Sequence, residues 1–386
     1  MQFKRPGLVI PGELGQPADL PFMLPQDSQT QRLISLDSLR GLAAMVVLLH
    51  HAEKMVPWPP LAALMRLPWM QPKSAVALFF VLSGFVLHRS LCHRPASLGE
   101  LGWFWWRRCW RLYPMYWLCL LVAALLFGTL PILQSGLWLH EAAGATVAAA
   151  DHGDWRQWLL HASLLLPGLD SGFINPPIWT LVVEMRVALV FPLISWGLLR
   201  LPLPLSLILL AVGMLLALSG TGALALLPLF ALGALCAEWA RRGSGLSGPK
   251  AACVLGLGLM LYSMAGLARQ RDGLELMGQL SLAGLGSALM LCSVPQLPGL
   301  VRMLEGAWLA RLGRHSYAIY ALHLPLLMAL AWAMAQWKAA AWCFHAVGPC
   351  LVLLLAGWAH GWVELPAMRL GRLARLWLEQ GRWRHG

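Results

Sequence analysis

Apolar stretches of close to 20 residues recur along this chain from about residue 34 to residue 363, and they leave few ways for it to fold. That length is what an α-helix needs to cross the hydrocarbon of a bilayer. Inside lipid every backbone N–H and C=O must find a partner within its own segment or on a neighbour, which favours consecutive helices over any open sheet. The stretches lie near 34–53, 74–91, 112–130, 178–199, 203–219, 222–240, 251–268, 274–293, 316–336 and 340–363. The predicted fold class is therefore all-α, a polytopic integral membrane protein of about ten transmembrane helices. The segment WRQWLLHASLLLP at 155–167 is too short to cross and reads as interfacial or re-entrant.

Composition excludes a soluble alternative. Hydrophobic residues make up 59% of the 386 positions and charged residues 12%, too little polar surface to enclose a core of this size in water. The 21 tryptophans suit the same setting, since an indole holds its ring near the headgroups while its N–H meets water. Basic residues in short loops stay in the cytoplasm. With the N-terminus inside, about 20 of the 29 basic residues fall on the cytoplasmic side, and both termini are expected there. Three regions follow: a flexible cytoplasmic lead at 1–31, a membrane domain at 32–365, and a basic cytoplasmic tail at 366–386. The net charge of +12 is then a topology signal with some attraction for anionic lipid, and no nucleic-acid partner is expected. The eight cysteines show no CxxC spacing, so neither a metal site nor a disulfide framework is expected.

Ionisable residues inside these stretches point to chemistry. Arg40 and His51 stand eleven residues apart in the first one. That spacing is about three turns, so both side chains share a helix face roughly 16 Å apart along the axis. A charge in a membrane span is costly and usually faces a protein-lined or watery cavity, so the pair suggests a polar channel. Asp37, one turn before Arg40, is a ready partner for its guanidinium.

The stretches LDSLRGLAAMVVLLHH (36–51), FFVLSGFVL (79–87), WWRRCWRLYPMYW (105–117), WTLVVEMRVALVFPL (179–193) and HSYAIYALHLP (315–325) carry a resemblance. Their order and spacing resemble the membrane-bound acyltransferase 3 family over about residues 33–365. The resemblance implies a bacterial inner-membrane, multi-pass enzyme. Such an enzyme transfers an acyl group, often acetyl, from cytoplasmic acyl-CoA to a hydroxyl of an acceptor, commonly a glycan. The family's Arg-ten residues-His signature maps onto Arg40 and His51. By that resemblance His51, Glu184 and Arg40 are the catalytic candidates. Arg40, Arg108, Arg111, Ser83, Tyr320 and His323 are candidates for holding the donor, and Trp179, Thr180 and Glu184 for the acceptor.

Each of these has a plainer reading beside it. His51 suits general-base work because imidazole titrates near neutrality, yet a histidine can also simply bond between helices. Arg108 and Arg111, three apart, can grip a phosphate together or serve topology alone. A carboxylate at Glu184 needs a partner, with His51 or Arg186 as candidates. Ser83 and Gly84 allow close helix approach or passage of a pantetheine arm. Tyr320 and His323 share a face and either line a donor tunnel or form a core pair. A transporter carrying a polar or anionic solute past Arg40, His51 and Glu184 is the alternative from a different class.

Overall fold

The computed structural model describes residues 34–129, 155–166, 175–219, 223–243, 245–265, 274–338 and 340–383. The expected lead at 1–31 and most of the connection between the third and fourth stretches, 130–154 and 167–174, lie outside these residues. Every regular element among the described residues is helical. In chain order they are α1 (Ile34–Met55), α2 (Pro59–Met65), α3 (Pro72–Leu91), α4 (Leu98–Thr129), α5 (Trp155–Ser163), α6 (Trp179–Arg200) and α7 (Leu203–Ser219). There follow α8 (Leu227–Arg241), α9 (Gly248–Met264), α10 (Leu274–Ser293), α11 (Pro298–Leu304), α12 (Ala307–Gln336), α13 (Ala341–Ala359) and α14 (Leu365–Trp383).

Helices occupy all ten predicted stretches. Six segments are long and apolar enough to cross a membrane: Pro72–Leu91, Leu98–Leu126, Pro176–Arg200, Leu276–Gln296, Ala307–Gln336 and Ala341–Arg375. Two more, Leu203–Leu218 and Gly248–Met264, are apolar but shorter. α8 has only 15 residues. In α1 the hydropathy is lowered by Asp37, Arg40, His50 and His51. Two helices start well before their apolar runs: α4 begins at Leu98 and spans 32 residues, and α12 begins at Ala307 and spans 30. At 1.5 Å per residue each exceeds a hydrocarbon core of about 30 Å, so the basic and aromatic residues at their starts are helical too. The stretch at 155–167 forms α5, nine residues long and well short of a crossing. The expected tail is helical through Trp383.

α3 lies at the centre, with 72% of its span buried, whereas Ala341–Arg375 is at the periphery with 22%. It packs on α8, α10, α1 and α6. Its approach to α8 is governed by glycine: a methyl on Gly84 would strike the Phe230 carbonyl, and one on Gly233 the Val81 carbonyl. The same device joins α1 to α12. Gly41 lies against the Gly313 backbone and Gly313 against the Asp37 backbone, so any side chain at either would force the two helices apart.

Two of the prolines inside the helices, Pro192 and Pro325, are accommodated by neighbours. A proline removes the N–H that would bond the carbonyl four residues earlier. For Pro192 that is Ala188, whose oxygen accepts from Trp105 Nε1 of α4 at 3.1 Å. For Pro325 it is Ala321, whose oxygen accepts from Asn175 Nδ2 at 3.2 Å and from Cys119 Sγ at 2.9 Å. Partners recruited from other helices are how a broken ladder persists where water is scarce. They also tie α6 and α12, which carry candidate site residues, to α4.

A second polar knot sits among α3, α6 and α8. Buried His88 contacts Glu238 at 3.4 Å and Ser195 at 2.9 Å, and Glu238 in turn takes Arg241 and Arg242. Each member of this knot has its partners within the group, so it joins three helices at one end.

Candidate functional site

A cavity opens between α1, α3, α4, α6 and α12, enclosing about 640 Å³ of empty space including its mouth. Helix rotation brings an unusual set of side chains to its wall. α1 contributes Arg40, α3 Phe79, Phe80 and Ser83, α4 Arg108 and Arg111, α6 Thr180 and Glu184, and α12 Ser316, Tyr317 and Tyr320. The spacing of three between Arg108 and Arg111 places both on one face, as does the spacing of four between Phe79 and Ser83.

Charges in this wall are only partly balanced. Arg108 forms an ion pair with Glu184, and Ser83 Oγ donates to the same carboxylate oxygen at 3.0 Å. Arg40 pairs with Asp37 at 3.1 Å. Arg111, half-buried, has no hydrogen-bonded partner among the described residues, and Arg108 Nε is buried without one. Three guanidinium groups against two carboxylates leave one positive charge over. In surroundings of low dielectric an uncompensated cation and a spare N–H donor are costly until an anion arrives, so the wall suits a ligand carrying phosphate or a developing oxyanion.

His51 lies farther along α1 and meets α12. Its Nδ1 stands 2.9 Å from the Val47 carbonyl and 3.3 Å from His323 Nε2. His323, buried, has its Nδ1 2.7 Å from the Tyr320 carbonyl. A carbonyl only accepts, so the network assigns a proton to both Nδ1 atoms. His323 Nε2 is then an acceptor for the His51 Nδ1–H. The remaining nitrogen, His51 Nε2, keeps its lone pair and has no hydrogen-bonded partner among the described residues. A neutral imidazole fixed in one tautomer with an open basic nitrogen is what a general base requires.

Tyr320 stands between the two centres. It lines the cavity, its ring packs edge-on against Phe79 at 5.3 Å, and its other neighbour is the His323 ring at 5.7 Å. Its hydroxyl donates to the Pro177 carbonyl at 3.1 Å and accepts from Thr180 Oγ1 at 2.9 Å. The two histidines are not part of the cavity wall.

A family model described as an acyltransferase domain matches residues 33–361. The chain belongs to the acyltransferase 3 family. This acyltransferase is also 32% identical over 178 residues to "Protein 2 in picA locus" of Rhizobium radiobacter, a match covering 44% of the chain and 85% of that relative. No solved structure matches it. The family match and the long apolar helices make it a multi-pass membrane protein.

Against the sequence expectations, the cavity of this acyltransferase unites Arg40, Ser83, Arg108, Arg111, Thr180, Glu184 and Tyr320. It does not unite Glu184 with His51. The carboxylate, expected to pair with His51 or Arg186, is held by Arg108 and Ser83 instead. Arg186 lies about 200° around α6 from Glu184 and donates to the Leu166 carbonyl at 3.0 Å. Trp179 is not in the cavity wall; it is 37% exposed and packs edge-on against Phe80, which is. Of the two readings for His323, the contacts combine a bond to the Tyr320 backbone with a partnership to His51. That partnership spans 272 residues and left no trace in local spacing. His50 sits edge-on to the His51 ring at 5.4 Å.

Proposed function

We propose that this acyltransferase moves an acyl group, acetyl being the simplest, from cytoplasmic acyl-CoA to a hydroxyl of a glycan or other polar acceptor at the outer face of a bacterial inner membrane. The observation that carries the reading is the His51–His323 pair. Its bonding leaves His51 Nε2 basic, roughly 16 Å along α1 from the arginine wall. An extended pantetheine arm is comparable to that length. The donor's phosphates bind at Arg40, Arg108 and Arg111, and the arm runs past Ser83 and Tyr320 toward the imidazole. Passage requires the Phe79–Tyr320 contact to part.

In the transfer step His51 Nε2 takes the proton of the acceptor hydroxyl as its oxygen attacks the thioester carbonyl. A C–O bond forms, the C–S bond breaks, and the leaving CoA thiolate takes that proton from His51 Nε2, which returns the imidazole to its neutral form before CoA withdraws past the arginines. Glu184 holds Arg108 in place for the donor, and Thr180 fixes Tyr320. Trp179 borders the acceptor side. Ten crossings with both termini cytoplasmic put Arg40 toward the donor's compartment and His51 toward the acceptor's, on the distribution of basic residues.

The test uses purified protein in liposomes supplied with acetyl-CoA and a soluble glycan. Release of free CoA thiol with a matching acyl mass gain on the glycan is expected. Solute movement with no thiol release would replace this reading with a transporter. Mass comparison of surface glycans from cells with and without the gene would then name the acceptor.

A further inference from the structure

A second group of arginines lies outside the cavity, where α4 meets α14. Glu100, Trp103 and Arg107 are spaced by three and four, so they share one face of α4. Arg108, the cavity residue, is about 100° away from that face. α14 packs on it closely: Trp106 Nε1 donates to the Gly371 carbonyl at 2.9 Å, and the Trp110 ring fills the space beside Gly371.

Glu100 is shared. Arg94 reaches it at 3.0 Å and Arg375 at 2.7 Å, and the Arg375 guanidinium also lies over the Trp103 ring at 5.4 Å. Arg107 stands in the field of all three groups, yet neither of its terminal nitrogens has a partner, and both are buried. Glu100 is already held by Arg94 and Arg375, so the positive charge of Arg107 is left without a hydrogen-bonded acceptor among the described residues. Buried guanidinium nitrogens with no acceptor are a rare arrangement in a folded protein and are costly unless an anion completes them.

We propose that the α4–α14 junction is a second anion site, distinct from the cavity, at which Arg107 binds a phosphate group bidentately with Arg94 and Arg375 alongside. Phosphate fits better than carboxylate, because its tetrahedral oxygens point in different directions and can engage more than one fork at once. The tryptophans at 103, 106 and 110 mark a level near the membrane surface, where lipid headgroup phosphates lie. A soluble phosphate compound offers the same chemistry. This site stands whether or not the acyl-transfer reading holds.

Native mass spectrometry of the full chain in phosphate-free detergent tests it, titrated in one arm with phosphatidylglycerol and in the other with inorganic phosphate. Wild type is expected to bind in one arm at least tenfold more tightly than Arg107→Gln, about what a lost charge-assisted pair is worth. A difference confined to the lipid arm assigns a headgroup, and one in the phosphate arm a soluble ligand. Equal binding by both proteins in both arms overturns the proposal, as does no binding by wild type. Should Arg107→Gln not be recovered folded, Arg107→Lys keeps the charge without the fork and is expected to bind several-fold more weakly. Equal binding by that variant also overturns the site.

Discussion

Glu184 on α6 is bonded to Arg108 on α4, and the same carboxylate oxygen accepts from Ser83 on α3. One side chain thereby fixes three helices around the cavity and sets the direction of a guanidinium within it.

Removing only one member of that pair strands the other. Glu184→Gln is expected to destabilise the folded protein by about 3 kcal/mol, since Arg108 is 7% exposed and would keep an uncompensated charge. The double variant Arg108→Met with Glu184→Leu removes both charges and is expected to recover most of that loss without recovering donor affinity. Thermal unfolding in detergent, together with KM for acetyl-CoA, checks both statements.

Arg111 is the cavity cation with no hydrogen-bonded partner among the described residues, so its truncation reports on ligand more than on folding. Arg111→Ala is expected to raise KM for acetyl-CoA about tenfold while kcat and the unfolding temperature change little. Steady-state kinetics at constant ionic strength measure it. A drop in kcat alone would remove Arg111 from donor binding.

His323 acts on His51 through one hydrogen bond. His323→Ala is expected to lower kcat about tenfold with KM unchanged, because the His51 ring loses its orienting acceptor. His323→Asn, which can present an amide oxygen at that side, is expected to restore part of the rate. Equal rates for the two variants would make His323 a packing residue.

The crossing of α1 and α12 depends on two glycines. A methyl at Gly41 or Gly313 meets backbone atoms of the other helix, which cannot move aside as a side chain does. Gly313→Ala is expected to cost about 1–3 kcal/mol and to disturb the register that brings His51 to His323. Yield of monodisperse protein and the unfolding temperature check the first effect, and kcat the second.

The helices were legible in the sequence because hydrocarbon length imposes itself on composition: each predicted apolar stretch carries a helix. Their starts were less so. α4 and α12 begin in segments rich in arginine and tryptophan, which no apolar run marks. Arg40 and Glu184 could be picked out individually, since a charge in an apolar helix is conspicuous, and Arg108 and Arg111 through the family resemblance of the segment 105–117. Their pairing could not, because whether Glu184 finds Arg108 or His51 depends on how α6 is rotated against α1 and α4. The capture of the Ala321 carbonyl by Asn175 and Cys119 was hidden for the same reason. It requires three helices to be in place before the proline in α12 has any consequence.

The His51 imidazole is the centre of the account, and its removal tests it most directly. Thiol release from acetyl-CoA should be followed for wild type and His51→Ala in the same liposomes, with circular dichroism and unfolding temperature confirming equal folding. A fall in kcat of about a hundredfold or more at unchanged KM for acetyl-CoA is predicted, the usual scale for losing a general base. A variant that folds like wild type and keeps its rate would contradict the assignment of His51 as the base.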